Sequence, residues 1–299
     1  MESTLSTAPQ PSYVTLPPCD PPYPSVVEFL QRRFPKIGRK VWQARLDAGK
    51  ITDDSGRTIT PDTPYRPHLR LRYYREVERE PDIPFTERRL FQSEHLLVAC
   101  KPHFLPVTPA GPYVNHCLLY RLQAATGIEE LAPLHRIDRE TAGIVLFSVN
   151  KATRGIYHKL FSAGKVTKLY EAVAVLPPKL NRQNWLIKNR IVRGNPWFRV
   201  TQEPGPVNAI TRIRLIERTA QHGYFRLLPL TGKQHQLRFH LTLLGCQILN
   251  DRYYPVLQPK RPDDFSHPLQ LLAKVVQFRD PLTHQPMTFR STRTLCWRS

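Results

Sequence analysis

Apolar residues along this chain follow two different periods. From Val166 to Val175 they alternate with polar ones almost strictly, which predicts a strand with one buried face. Ile144–Val149 and Leu96–Cys100 are short uncharged runs rich in branched side chains, so they read as strands buried on both faces. Ala209–Ile216 and Phe225–Pro229 are further strands. Helical spacing appears at Val26, Phe29 and Leu30, where Ser25 and Glu28 form a capping box and Pro35 is the stop. A second helix is predicted over Arg39–Ala48, ended by Gly49. A third runs from Tyr113 to Gly127, with Leu118, Leu119 and Leu122 on one face. A fourth spans Lys151–Phe161 and stops before Gly164. Lys50–Thr52, Arg57–Thr60 and Leu69–Tyr73 are short strands around the turn Asp53-Asp54-Ser55-Gly56.

The remaining segments lack a period. Residues 1–24 contain seven prolines and read as a flexible tail. Residues 76–89 are charged, carry Pro81 and Pro84, and read as a linker. Residues 177–208 form a long connection in which Arg190, Arg193 and Arg199 interleave with Trp197 and Phe198. That mixture suits stacking on unpaired bases, and a hairpin packed on the body explains it equally well.

Charge narrows the function. The 299 residues hold 44 Lys plus Arg against 24 Asp plus Glu, a formal charge of +20 and a pI near 10.1, so a polyanionic partner is expected. Nucleic acid fits better than a membrane, because no apolar run approaches the ~20 residues a crossing helix needs. Between Arg32 and Lys50 there are seven cations and one acid. Cys19, Cys100, Cys117, Cys246 and Cys296 are scattered and form no CxxC pair, so neither a zinc site nor a disulfide framework is indicated. No basic segment followed by an apolar one opens the chain, and the expected location is the cytoplasm.

The chemistry centres on His135-Arg136-Ile137-Asp138-Arg139-Glu140-Thr141-Ala142-Gly143, just before the buried run at Ile144. Asp138 is flanked by Arg136 and Arg139, which favour its charged form. A positioned carboxylate can serve as nucleophile, base or electrostatic stabiliser. Asp and Thr are also ordinary turn formers, and on residue types alone a turn accounts for the segment.

This stretch resembles the signature of the RluA-type pseudouridine synthases: His-Arg-Leu-Asp, two variable residues, Thr, a small residue and Gly. Lys168-Leu169-Tyr170 resembles the family's second motif, Lys-x-Tyr. Thr231-Gly232-Lys233-Gln234-His235-Gln236-Leu237-Arg238-Phe239-His240 resembles the third, with Lys233 in place of an Arg, which keeps the charge but loses bidentate geometry. Leu244–Tyr254, Gln270–Ala273, Phe278, Pro281 and Lys101-Pro102 resemble flanking family elements. The two basic helices and small strands of 25–75 resemble an αL-type RNA-binding module.

The resemblance implies an α+β fold, with a mixed, mainly antiparallel sheet, flanking helices and a basic cleft over residues 90–299, preceded by the small α/β module. It implies isomerisation of uridine in structured RNA, ribosomal or transfer, by a monomer with no cofactor. Asp138, Tyr170 and Arg238 are the implied catalytic residues: Arg238 pairs with Asp138, and Tyr170 stacks on the uracil and helps remove its C5 proton. Arg136 fills the gap left by the flipped base. Arg139, Lys168, Lys233 and His235, with Arg39, Lys40 and Arg45 of the module, are the implied RNA contacts. A metal at His235 and His240 is disfavoured, since a five-residue spacing matches no ligand pattern. The alternatives are an RNA-binding protein without catalysis and a metal-dependent hydrolase.

Overall fold

The uncharged run after Gly143 is a strand, Ala142–Ser148, buried along its whole length. In the computed structural model of the protein, which describes residues 5–35 and 37–297, this strand belongs to an eleven-stranded sheet. Across the sheet the order is Asn184–Asn189, Ala209–Arg218, His222–Pro229, Thr167–Val175, Leu271–Arg279, Ala142–Ser148, Leu96–Lys101 and Arg88–Gln92. Three short strands pair alongside. All pairings but one are antiparallel; the exception joins Ala142–Ser148 to Leu271–Arg279. The fold is α+β, with a mixed and mainly antiparallel sheet.

At that parallel junction the backbones nearly touch. Gly143 has φ +117, in the region reserved for glycine, and pairs with Ala273. A Cβ at 143 would lie 2.7 Å from the Ala273 amide nitrogen and nearer still to its carbonyl oxygen.

Helices pack on the sheet, among them Gln236–Leu243, which the apolar pattern did not predict, and Lys151–Ser162, which it did. Gln236–Leu243 covers Ala172, Ala174, Ile213, Leu215, Phe225 and Leu227 through Leu237 and Leu241. Lys151–Ser162, capped by Asn150, buries Tyr157, whose hydroxyl donates to Asp280 Oδ2 at 2.8 Å. Each such buried aliphatic side chain contributes about 1.5–3 kcal/mol.

The chain divides into two compact units, Met1–Pro81 with Pro109–Asn115, and Asp82–Thr108 with His116–Ser299. The smaller unit departs from the expected boundaries. Residues 1–24 do not form a loose tail as far as they are described: Ser6–Thr7 pairs with Glu76–Val77, and Ser12–Thr15 pairs with Arg70–Tyr73. The prolines at 11 and 17 bracket that edge strand rather than interrupt it, and Leu16 is fully buried. The expected linker over 76–89 is likewise structured at Glu76–Val77 and Arg88–Gln92. Arg57–Thr60 is not a strand; only a single bridge joins Thr58 to Thr52. The cause is Asp53, whose Oδ1 accepts from the amides of Ser55 and Arg57, both at 3.0 Å, folding the turn on itself. The helix predicted from Tyr113 begins only at Leu118, because Glu80 takes the amides of Val114 and Asn115 at 2.9 Å and holds 109–115 as a loop. In the larger unit, the long connection 177–208 contributes the edge strand Asn184–Asn189 and the hairpin Ile191–Arg193/Val200–Gln202.

Candidate active site

The loop carrying Asp138 is fixed from both sides. His135 Nε2 accepts the Leu146 amide at 3.1 Å, and its ring stacks on Phe161 at 4.9 Å. Burial, with Lys168 nearby, pulls its pKa down to about 3, so it is a neutral acceptor that clips the loop to the strand. On the other side Lys101, fully buried, donates to the carbonyls of Pro102 (2.9 Å), Leu105 (2.6 Å) and Arg139 (3.0 Å). Burial pulls its pKa down to about 7, against the opposing pull of Glu140 and Asp138. Three acceptors match three N–H donors, which is the ammonium form. The Asp138 carbonyl accepts the Thr141 amide at 3.1 Å, so the segment is also a turn.

The partner of Asp138 comes from the third motif. Arg238, on the helix Gln236–Leu243, is almost wholly buried and brings Nη1 to 3.4 Å from Asp138 Oδ2. Its main bonds go elsewhere: Nε and Nη2 clasp Asp251 at 2.7 and 2.6 Å, and Glu140 Oε2 lies 4.0 Å from Nη1. Burial disfavours its charge, but Asp251, Asp138 and Glu140 more than offset this and raise its pKa. Asp251 also accepts the amides of Tyr253 and Tyr254, so its carboxylate is fully engaged. His235, at φ +51 just before the helix, places Nε2 3.9 Å from Asp138; its pKa is lowered by burial despite that carboxylate. Gln236 pins the preceding turn, accepting from Thr231 Oγ1 (2.8 Å) and the Lys233 amide (3.0 Å).

A cavity of about 440 Å³ opens over Asp138. It is lined by Asp138, Tyr170 and Arg238, by Arg136, Lys168, Lys233 and His235, and by apolar surface from Ile137, Phe161, Leu230, Leu237 and Leu271. Seven of the residues singled out in the sequence therefore converge on one basic cleft. Burial and the Asp138 charge raise the Tyr170 pKa, which favours the protonated phenol. Burial lowers the pKa of Lys168.

Other expectations are corrected. The flanking cations are not what holds Asp138: Arg136 is exposed, and Arg139 turns to Asp263 (2.6 and 2.9 Å) and Glu140 (3.0 Å), outside the cavity. Arg45 is bound to Glu76 at 3.2 Å and stacked on Trp42, so it is not a free RNA contact. Arg39 and Lys40 are exposed on the same helix. His240 binds Thr211 and Asn189, away from His235. Among the described residues no three His, Cys, Asp or Glu side chains are grouped to hold a metal ion. Sequence reasoning missed Asp251, Glu140 and Lys101 as parts of the site. The signal for Asp251 was its place in the segment Leu244–Tyr254 that resembles a flanking family element, directly after Asn250, a residue type that tolerates the positive φ found there.

Comparisons with known proteins agree with this geometry. Residues 95–243, which carry all three motifs, match the RNA pseudouridylate synthase family. A protein of Synechocystis described as an uncharacterized RNA pseudouridine synthase is 29% identical over 232 residues, covering 77% of this chain and 79% of its own length. The dual-specificity RNA pseudouridine synthase RluA of Vibrio cholerae is 29% identical over 201 residues, 65% of this chain and 78% of that one. The solved structure of human RNA pseudouridylate synthase domain containing 4 superimposes with a TM-score of 0.54 at 25% identity, over 69% of this chain and 88% of that one. Motifs, cavity and relatives coincide: the chain belongs to the RluA-type pseudouridine synthases, isomerases that make pseudouridine in RNA.

Proposed function

We propose that Asp138 is the carboxylate on which the isomerisation turns. Conversion of uridine to pseudouridine breaks the N1–C1′ bond and forms C5–C1′, while C5 loses a proton and N1 ends up carrying one. Atoms and electrons balance without a redox partner. In this reading Asp138 stabilises the electron-poor C1′, as a carboxylate does in retaining glycosidases. Arg238 orients it through the 3.4 Å contact, and Asp251 holds Arg238. Tyr170 stacks on the uracil as a neutral phenol. The target uridine leaves its stack to enter the cavity, at a cost of a few kcal/mol, and exposed Arg136 takes its place. The observation that carries this is the convergence of Asp138, Tyr170 and Arg238 on one cavity.

The substrate we assign is structured RNA, ribosomal or transfer, bound through Lys168, Lys233 and His235 at the cleft and through Arg39 and Lys40 of the small unit. The protein acts as a monomer in the cytoplasm. The test maps pseudouridine at single-nucleotide resolution in RNA from cells with and without the gene, the latter complemented with wild type or Asp138→Ala. Marks at one or a few uridines should vanish with the gene and return only with wild type. Restoration by Asp138→Ala would remove Asp138 from its role. No change at any uridine would favour a protein that binds RNA without modifying it.

A further inference from the structure

The cavity uses one face of the sheet; the other face carries a row of cations that the isomerisation does not use. Thr211, Ile213 and Leu215 point toward the helix Gln236–Leu243, so Arg212 and Arg214 of the same strand point away from it, and both are exposed. Register adds two more. Arg226 pairs directly with Arg214, and Lys188 of the edge strand pairs with Ile210, two residues before Arg212. Arg226 and Lys188 are exposed as well. Like charges directly opposite on a sheet are destabilising, and Arg214 and Arg226 are such a pair. None of the four has a carboxylate partner within ion-pair distance among the described residues. The acids nearby are engaged elsewhere: Glu171, which lies directly opposite Arg226 on the strand Thr167–Val175, is buried and bonded to Tyr224, and Glu217 accepts from Trp297 Nε1 at 3.0 Å.

The row is continuous with the cavity rim. The strand His222–Pro229, which holds Arg226, runs on into Pro229, Leu230 and Thr231 of the cavity wall. The Leu230 amide donates to the Ile210 carbonyl at 2.9 Å, so Lys188 and Ile210 mark the end of the row nearest the site. From there to Arg214 and Arg226 the cations extend about 13 Å, four strand residues at ~3.3 Å each.

We propose that this face is a second RNA-binding surface, on which the sugar–phosphate backbone of RNA leaving the cavity docks after rounding the edge strand Asn184–Asn189. It recognises phosphate charge, not bases, because all four groups are exposed cations. The inference rests on RNA being the substrate of the cavity.

The test measures binding of a fluorescein-labelled RNA hairpin of about 40 nucleotides, and of a single strand of about 8, across ~50–200 mM KCl. Wild type is compared with R212Q/R214Q/R226Q and with R212K/R214K/R226K. Each lost phosphate contact lowers the slope of log Kd against log salt by about 0.7–0.9, so the Gln variant, with three cations removed, should lose about two to three from its slope and bind the hairpin at least about tenfold more weakly. The Lys variant should keep the wild-type slope, and the short strand should bind all three proteins equally. An unchanged slope for the Gln variant on the hairpin overturns the proposal and leaves an acidic protein as the partner of this face. Equal weakening on the short strand also overturns it, since the effect then lies in the cavity. Pseudouridine mapping with Asp138→Ala tests the cavity separately, so failure of either reading is recognisable by itself.

Discussion

Arg238 clasps Asp251 with two short bonds and reaches Asp138 with one long contact. The carboxylate that anchors Arg238 and the carboxylate that faces the cavity are thus different residues. Asp251 holds the guanidinium in place with its two oxygens, and the remaining nitrogen is left aimed at Asp138.

Removing each acid should therefore have a different signature. Asp251→Asn strands a buried cation and should destabilise the fold by about 3–5 kcal/mol, with kcat falling at least tenfold in the folded fraction. Asp138→Asn should leave urea unfolding within about 1 kcal/mol of wild type while abolishing turnover, because Asp138 is partly exposed and Arg238 keeps its main partner. Paired urea titrations and single-turnover assays separate the two, and equal destabilisation by both changes would refute the division of labour.

Gly143→Ala should prevent the parallel pairing of Ala142–Ser148 with Leu271–Arg279. Both the φ of +117 and the approach to Ala273 oppose a side chain. A loss of at least about 3 kcal/mol is expected, read as a lowered thermal midpoint with loss of activity. A variant that melts with wild type would show that the two strands can separate without consequence.

His240 should make the protein acid-sensitive. It is fully buried, bonded to Thr211 at 2.8 Å and Asn189 at 3.0 Å, and burial lowers its pKa from 6.5 to about 4. The unfolded chain takes up this proton first as pH falls. The stability contributed by the neutral ring is therefore complete above pH 6.5 and declines down to about pH 4. His240→Gln should be less stable than wild type at pH 7, and the gap should narrow toward pH 5 by up to about 1.4 kcal/mol per pH unit. Urea midpoints at the two pH values decide it; a gap that stays constant would mean that His240 does not titrate in this window.

The chemistry was more legible in the sequence than its support. Asp138, Tyr170 and Arg238 stand in short motifs whose wording survives in one dimension. Their supporting groups do not: Asp263 is 124 residues from Arg139, and Glu76 is 31 from Arg45. Arg238, expected from its motif as the partner of Asp138, does reach it from 100 residues later, whereas Arg139, adjacent in the chain, is turned away to Asp263. The core strands were readable because burial on both faces demands uncharged runs. The strand Ser12–Thr15 was not, because it is short, lies at a sheet edge and is bracketed by prolines.

Glu80 and the loop it holds have a consequence for synthesis. The small unit is not finished when its first 81 residues have been made, since Pro109–Asn115 belongs to it and is bound by Glu80 through the amides of Val114 and Asn115. Between these two pieces the nascent chain emits Leu96–Lys101, a strand of the larger unit buried at every position; its first partner Arg88–Gln92 is already made, but its second, Ala142–Ser148, is not yet translated. The N-terminal unit is thus completed only after part of the larger unit has been made, and Leu96–Lys101 lacks one of its two strand partners in the interval. Deletion of residues 1–81 likewise strands 109–115, so the catalytic part is not released by a single cut.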